Sequence, residues 1–292
     1  MSRLRRVLLG IGVLVVVVVA AGLVGLRMIG AWNLVFTNRS HEVRPPELPQ
    51  ALGRPAFLVF TKTNGFRHKE AIVAGLERFE EIAQRRDWSL FATENGAVFQ
   101  NSLLENFDAV VFHNASGDML SSDQEAAFMR FLEDGGGWVG IHAAGDSSHE
   151  DWDWYVDNLI GGLFTAHTMG PQFQEARLVV EDADHPATRS LPDEWLHTEE
   201  WYSWDANPRD HGMRVLVSVD ESTYSPWVRW LGNEVDLRMG DHPIVWVGCV
   251  GRGRTLYSAL GHQGAAYETP EYRALLEGAL AWAGRLEGVG CD

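Results

Sequence analysis

The sequence predicts an α/β domain with a mostly parallel sheet and flanking helices, preceded by one N-terminal transmembrane helix. Three observations predict this. Short, continuously apolar runs of strand length recur from residue 56 onward; amphipathic helical stretches alternate with them across short loops; and an uncharged apolar stretch opens the chain. With 292 residues, 46 % of them hydrophobic, the chain is long enough to bury a sizeable core.

The elements follow in order. Arg3, Arg5 and Arg6 precede Val7 to Leu26, an uncharged stretch of the ~20 residues needed to span a bilayer. Residues 1–6 are read as a cytoplasmic N-terminus and 7–29 as an uncleaved anchor. A cleaved signal peptide is the competing reading, hinted at by Ala20-Ala21-Gly22 alone. Three arginines before the span against Arg27 after it place the remaining chain in the periplasm or outside the cell. Residues 30–55, with Pro45, Pro46, Pro49 and Pro55, read as a semi-rigid linker. The folded domain is expected over 56–286 and a tail over 287–292.

Ala56 to Thr61 has the uniform apolarity of a strand buried on both faces. A helix is predicted from about Lys69 to Arg86, with Ile72, Leu76, Phe79 and Ala83 on one face. Trp88–Thr93 and Asp108–Asn114 read as strands. Ser122-Asp123-Gln124-Glu125 reads as a capping box opening a helix that stops at Gly135-Gly136-Gly137, before the strand Trp138–Ala144. Further on, Phe173–Asp182 and Arg214–Asp220 alternate as strands do. His242–His262 reads as a hairpin turning at Gly251-Arg252-Gly253, and a last helix has Thr269 as N-cap and Pro270 at its first position.

Composition excludes some partners. Residues 1–27 carry four arginines and no acids, so removing them takes the formal charge from −16 to −20. Such a surface repels phosphate backbones, which argues against nucleic-acid binding and leaves neutral sugars and metal ions as compatible partners. Cys249 and Cys291 are too few for a disulfide scaffold and lack metal-ligand spacing; they are read as bystanders, with a single bridge as the alternative.

In an open parallel sheet, ligands bind beyond the carboxyl ends of the strands. The residues there are Asn64 to His68, His113-Asn114, His142 with Asp146, and His262-Gln263. His167 and the aromatic-flanked carboxylates of Glu199-Glu200-Trp201-Tyr202 add to them, a combination suited to sugars. His142, His167 and His262 with Glu200 are also a candidate metal set of nitrogen and oxygen ligands, although no compact signature such as HExxH is present. In Gly140-Ile141-His142-Ala143-Ala144, histidine occupies the place that a nucleophile elbow gives to cysteine or serine, which argues against acyl transfer by the usual triad.

These motifs resemble the ThuA-like (trehalose utilisation) family. The resemblance runs from about Ala56 to Gly284 through NGFRH (64–68), GGGWVGIHAAGD (135–146), WYVDNLIGGLF (154–164), DHPATRSLP (184–192), EEWYSW (199–204), DHPIVW (241–246) and GRGRTLYSALGH (251–262). It implies a flavodoxin-like sheet similar to class I glutamine amidotransferases, bacterial origin and a link to disaccharide or keto-sugar metabolism. Glutamine hydrolysis is not carried over, because His142 replaces the nucleophile and His262 is followed by Gln263-Gly264.

The expected function is acid/base chemistry on a keto-sugar or glycoside, with His142 and His262 facing across the crevice and Asp146 or Glu200 orienting one of them. Arg67, His68 and His167 would hold substrate, and Trp201 and Tyr202 would form a stacking wall. The alternatives are a tethered sugar-binding or scaffolding module without chemistry, and a metal-dependent hydrolase. The sequence names no cofactor and leaves homo-oligomerisation open.

Overall fold

The computed structural model describes residues 3–230 and 232–291. Met1 and Ser2 of the expected N-terminal segment, and Asp292 of the expected tail, lie outside the described residues. The opening apolar stretch forms α1 (Arg3–Met28), 26 residues long. Its most apolar window has mean hydropathy 3.1 and is not buried at all, so it is long and apolar enough to cross a membrane, a test that a signal sequence also passes. A single turn, α2 (Trp32–Val35), follows.

The uniformly apolar runs become β1 (Ala56–Phe60) and, after α3 (Lys69–Arg86), the less buried β2 (Ser89–Thr93). Next come α4 (Asn101–Leu104), β3 (Ala109–His113), α5 (Ser122–Glu133) and β4 (Gly137–Ile141). β1, β3 and β4 are buried at every residue, as strands covered by helices on both faces must be. The second half holds α6 (Asp153–Tyr155), β5 (Phe164–His167), β6 (Phe173–Val180), β7 (Glu194–Glu200), β8 (Tyr202–Trp204), β9 (Arg214–Val219), β10 (Trp227–Trp230), β11 (Asn233–Asp236), β12 (Pro243–Val250), β13 (Gly253–Ser258) and α7 (Pro270–Ala283).

Nine strands form the central sheet in the order β2-β1-β3-β4-β13-β12-β9-β6-β7. The first five run parallel and the pairings from β13 to β7 are all antiparallel. The sheet is thus mostly parallel in strand direction, with only β12 and β6 reversed, although its parallel pairings are confined to the first five strands. Four reversals bring β7 back to the direction of β4 and β13. Its carboxyl end, at Glu200, emerges on the same edge as theirs, and this positions the site.

The structure corrects several expectations. Cys249 and Cys291 form a disulfide with Cα atoms 5.5 Å apart, tying the tail to β12, because the chain after α7 folds back beside that strand. Nor is the linker a free spacer. Lys62, nearly buried, donates from Nζ to Ser40 O and Glu42 Oε2 at 2.8 Å each, and Gln124 Nε2 donates to Glu42 O at 2.8 Å. A buried ammonium needs a partner, and the linker supplies it. The capping box lies one residue earlier than expected, at Ser121 and Gln124. Pro270 does open α7, but the Thr269 hydroxyl donates to Ala266 O at 2.9 Å instead of capping the helix.

Candidate functional site

β4 ends in Ile141, and the chain bends through His142 with φ +49°, a left-handed conformation for a non-glycine residue. This aims the fully buried imidazole over the sheet edge. Nδ1 donates to Ala259 O at 2.7 Å, so Nε2 is bare. That nitrogen faces Tyr202 OH at 2.9 Å, His262 Nδ1 at 3.0 Å and Glu200 Oε2 at 3.7 Å.

His262 arrives from the turn beyond β13. Glu199 fixes that turn by accepting from Gly261 N at 2.7 Å and His262 N at 3.4 Å. His262 Nδ1 pairs with Glu200 Oε2. The other oxygen, Oε1, is held by His167 Nδ1 at 2.5 Å and Gln172 Nε2 at 3.1 Å. His68, just before α3, packs edge-on to both histidines, with ring centroids 4.8 Å from His142 and 4.5 Å from His262. Among the described residues its buried Nδ1 has no hydrogen-bond partner.

Burial pushes the His142 pKa down to about 4, helped by the neighbouring His262, and burial likewise drives His68 well below its ordinary value. Burial opposes ionisation of Glu200 too, but hydrogen bonds from His167 and His262 outweigh it and hold the carboxyl below its ordinary value. For His167 burial is again the largest influence; the hydrogen bond and charge of Glu200 overcome it and raise the pKa. His68 and His142 are thus neutral beside an ionised carboxylate, the protonation states in which these groups bind metals. One donor atom from each of His68, His142, Glu200 and His262 lies within 4.8 Å of the other three. These residues can hold a metal ion.

The cluster closes one end of a pocket of about 380 Å³, walled by Leu34, Phe66, Phe164, His167 and Tyr202. A larger cavity, about 440 Å³, lies among Arg54, Asp108, Arg130 and Arg285 at the amino ends of the strands, away from these histidines.

Of the residues expected at the site, the structure brings together His68, His142, Glu200, Tyr202 and His262, with His167 on the pocket wall. His68, not His167, is the fourth member of the compact set. Arg67 lines an adjoining depression with His68 and His262, its guanidinium donating to Thr63 Oγ1 at 2.9 Å and Glu94 Oε1 at 2.5 Å. Trp201 is not a stacking wall: it is 1 % exposed, and its Nε1 donates to Gln174 O at 2.9 Å. The Asp146 carboxylate lines the pocket but accepts from Ser148 N at 2.8 Å and from the Ser148 hydroxyl, so it does not orient His142. Ala259 O does. His113 belongs to the interior, with Nε2 3.0 Å from Ala71 O. Gln172 and Leu34 went unread, since nothing in their sequence surroundings marks them.

A family model for ThuA, described as trehalose utilisation, matches residues 56–283. The chain belongs to this family. A ThuA-like protein from Bacteroides uniformis ATCC 8492 is 26 % identical with TM-score 0.68, the match covering 82 % of this chain and 95 % of that one. Another from Parabacteroides merdae ATCC 43184 is 19 % identical with TM-score 0.59, covering 80 % and 91 %, and shares the fold. No curated protein matches the chain. In ThuA terms, all members of the cluster come from within the matched region, whereas α1, α2 and the strap that follows lie outside it.

Proposed function

We propose that this ThuA-family protein is a metal-dependent enzyme acting on an oxidised (keto) sugar or glycoside in the pocket before His68, His142, Glu200 and His262. The convergence of three imidazoles and one carboxylate, with donor atoms within 4.8 Å, carries the proposal. An ion would satisfy polar groups of this buried cluster, whose burial is otherwise costly. Tetrahedral bonds of about 2.0–2.1 Å set donors roughly 3.4 Å apart, so closure moves each side chain by less than about 1 Å. Three nitrogens and one oxygen suit zinc or a neighbouring divalent transition metal.

When bound, such an ion polarises a sugar carbonyl or activates a water. The protein's own groups do the rest. Ala259 O orients His142, while His167 and Gln172 hold Glu200 by its second oxygen, the outer support that metal ligands need. His167 stands on the pocket wall, placed to give a proton to a departing sugar oxygen. Phe164, half-buried on the pocket wall and backed edge-on by the buried Tyr202 at 4.6 Å, offers the apolar face of a sugar the aromatic surface that Trp201 does not.

The family's link to trehalose utilisation supports a sugar substrate, and Cys249–Cys291 supports an oxidising compartment, in keeping with α1 as anchor and the domain outside the cytoplasm. The test is elemental analysis of the full chain purified without a histidine tag, paired with turnover of a 3-keto-disaccharide before and after chelation. Bound metal, chelator-sensitive turnover and an inactive Glu200→Gln variant are expected. Full activity without metal would refute the metal's role; saturable sugar binding without product would make the protein a binding module instead.

A further inference from the structure

The N-terminal segment does not merely precede the domain; it is bolted to the mouth of the pocket. Gly30 O accepts from Arg67 N at 3.0 Å, Asn33 Nδ2 donates to Thr63 O at 2.9 Å, and Asn38 Nδ2 donates to Asn64 Oδ1 at 2.8 Å. Lys69 Nζ reaches Met28 O at 3.3 Å and also the carbonyl of Arg27. Gly30 has φ +83°, and a Cβ there would sit 2.2 Å from Arg67 O, so this approach requires glycine. The last turn of α1 thereby becomes part of the site. Leu34 walls the pocket before the histidines, and Met28 and Ile29 line the adjoining depression with Phe66, Phe173 and His262.

Distance along the chain decides what this means. Met28 and Ile29 stand two and three residues past Leu26, roughly 3–5 Å at a helical rise of about 1.5 Å per residue. The headgroup layer of one leaflet is about 5–8 Å thick. The rim of the depression therefore lies within that layer if α1 spans the bilayer. The surface around it fits: Met28, Ile29, Leu34, Val35, Phe36 and Leu163 are large apolar side chains left exposed, and Arg27 covers the Trp32 ring at 4.1 Å, a pairing at home at a membrane interface. A soluble sugar would have to enter through lipid headgroups, whereas the head of a membrane lipid is already there.

We infer that the substrate is membrane-borne: the uncharged sugar head of a glycosyl lipid, which enters from the bilayer surface past Leu34 while its hydrocarbon chains stay in the membrane. An uncharged head is specified because residues 28–292 carry a net charge of −20 once the four arginines of 1–27 are set aside, which repels anionic lipids. The inference rests on the sugar-active reading above and on α1 remaining attached to the mature chain.

The full chain is reconstituted in nanodiscs of phosphatidylcholine doped with monoglucosyl diacylglycerol, and carbethoxylation of His167, which lines the pocket outside the metal set, by diethyl pyrocarbonate is followed by mass spectrometry. The glycolipid in the same disc is expected to slow modification of His167 by about tenfold or more, and methyl glucoside at the same bulk concentration to leave it unchanged, since confinement raises effective concentration by orders of magnitude. Replacing Leu34 with Asp should abolish the protection while leaving the circular dichroism spectrum unchanged. Equal protection by methyl glucoside, no protection by the glycolipid, or an intact mass showing cleavage before Met28 would overturn the inference. Metal content of the same preparation reports separately on the catalytic proposal: bound metal without glycolipid protection sinks this inference alone, and protection without metal sinks the other.

Discussion

His68→Ala separates a metal ligand from a packing residue. In the metal-free protein, His68 buries a ring nitrogen with no partner, at a cost of roughly 1–3 kcal/mol. Removing the ring recovers that cost and opens a cavity of comparable penalty, so stability without metal should change by only about 1 kcal/mol. Metal binding is another matter. At one hundred times Kd, a bound ion stabilises the native state by about 2.7 kcal/mol. For a domain of this size, that is a rise in Tm of roughly 5–11 °C. Losing an outer support of a metal site already weakens binding about 10–100-fold, and loss of a ligand is at least the upper end of that range. At the same metal concentration, the stabilisation then falls to about 0.4 kcal/mol, a rise of only 1–2 °C or so. The assay is differential scanning calorimetry of chelated protein with and without added zinc, with His68→Asn as a bulk-retaining control. If His68→Ala keeps the full wild-type rise, His68 is no ligand and the four-residue centre is wrong.

Two further outcomes are expected. Replacing both Cys249 and Cys291 with Ser opens a loop with sequence separation 42, costing up to about 4 kcal/mol of chain entropy, which calorimetry should register as a Tm lower by roughly 10 °C. An unchanged Tm under non-reducing conditions would show that the tail needs no tether. Trp201→Ala should cost about 3–5 kcal/mol in urea unfolding, because the ring is buried, yet leave the sugar affinity of the folded protein as it was. A weakened affinity measured by calorimetry would return Trp201 to the binding surface.

What the sequence revealed follows from which side chains face inward. β1, β3 and β4 read cleanly because both their faces are covered and every position except the terminal His113 of β3 is apolar or small; α3 was legible to its last residue, Arg86. β7 escaped because three of its inward residues are His197, Glu199 and Glu200, so its alternation of burial is not an alternation of hydrophobicity. β10 and β11 are short and form a sheet of their own, giving little apolar pattern to detect. His142 and His262 could be found from the rule that ligands gather at the carboxyl ends of parallel strands. Glu200 joins them only because four antiparallel reversals return β7 to that edge, and pairing order is not written in local pattern. Trp201 was misplaced because the chain breaks its strand between β7 and β8, so that Glu199 and Glu200 are both buried and ordinary alternation fails. Asp146 was misassigned because its bonds to Ser148 are a local turn contact that competes with longer-range partners.

The left-handed backbone at His142 has a counterpart at Asn114, φ +51°, at the end of the neighbouring strand. A residue other than glycine in that conformation costs of order 1–3 kcal/mol, and here two adjacent strands spend it side by side. Asn114 uses its bend to donate to Gly261 O at 3.2 Å, steadying the turn that carries His262. The pair works as a gun mount, in which aim belongs to the backbone and ammunition to the side chain. Any side chain placed at 142 would therefore be aimed at the same point above the sheet edge, so that direction is inherited from the backbone whatever group stands there.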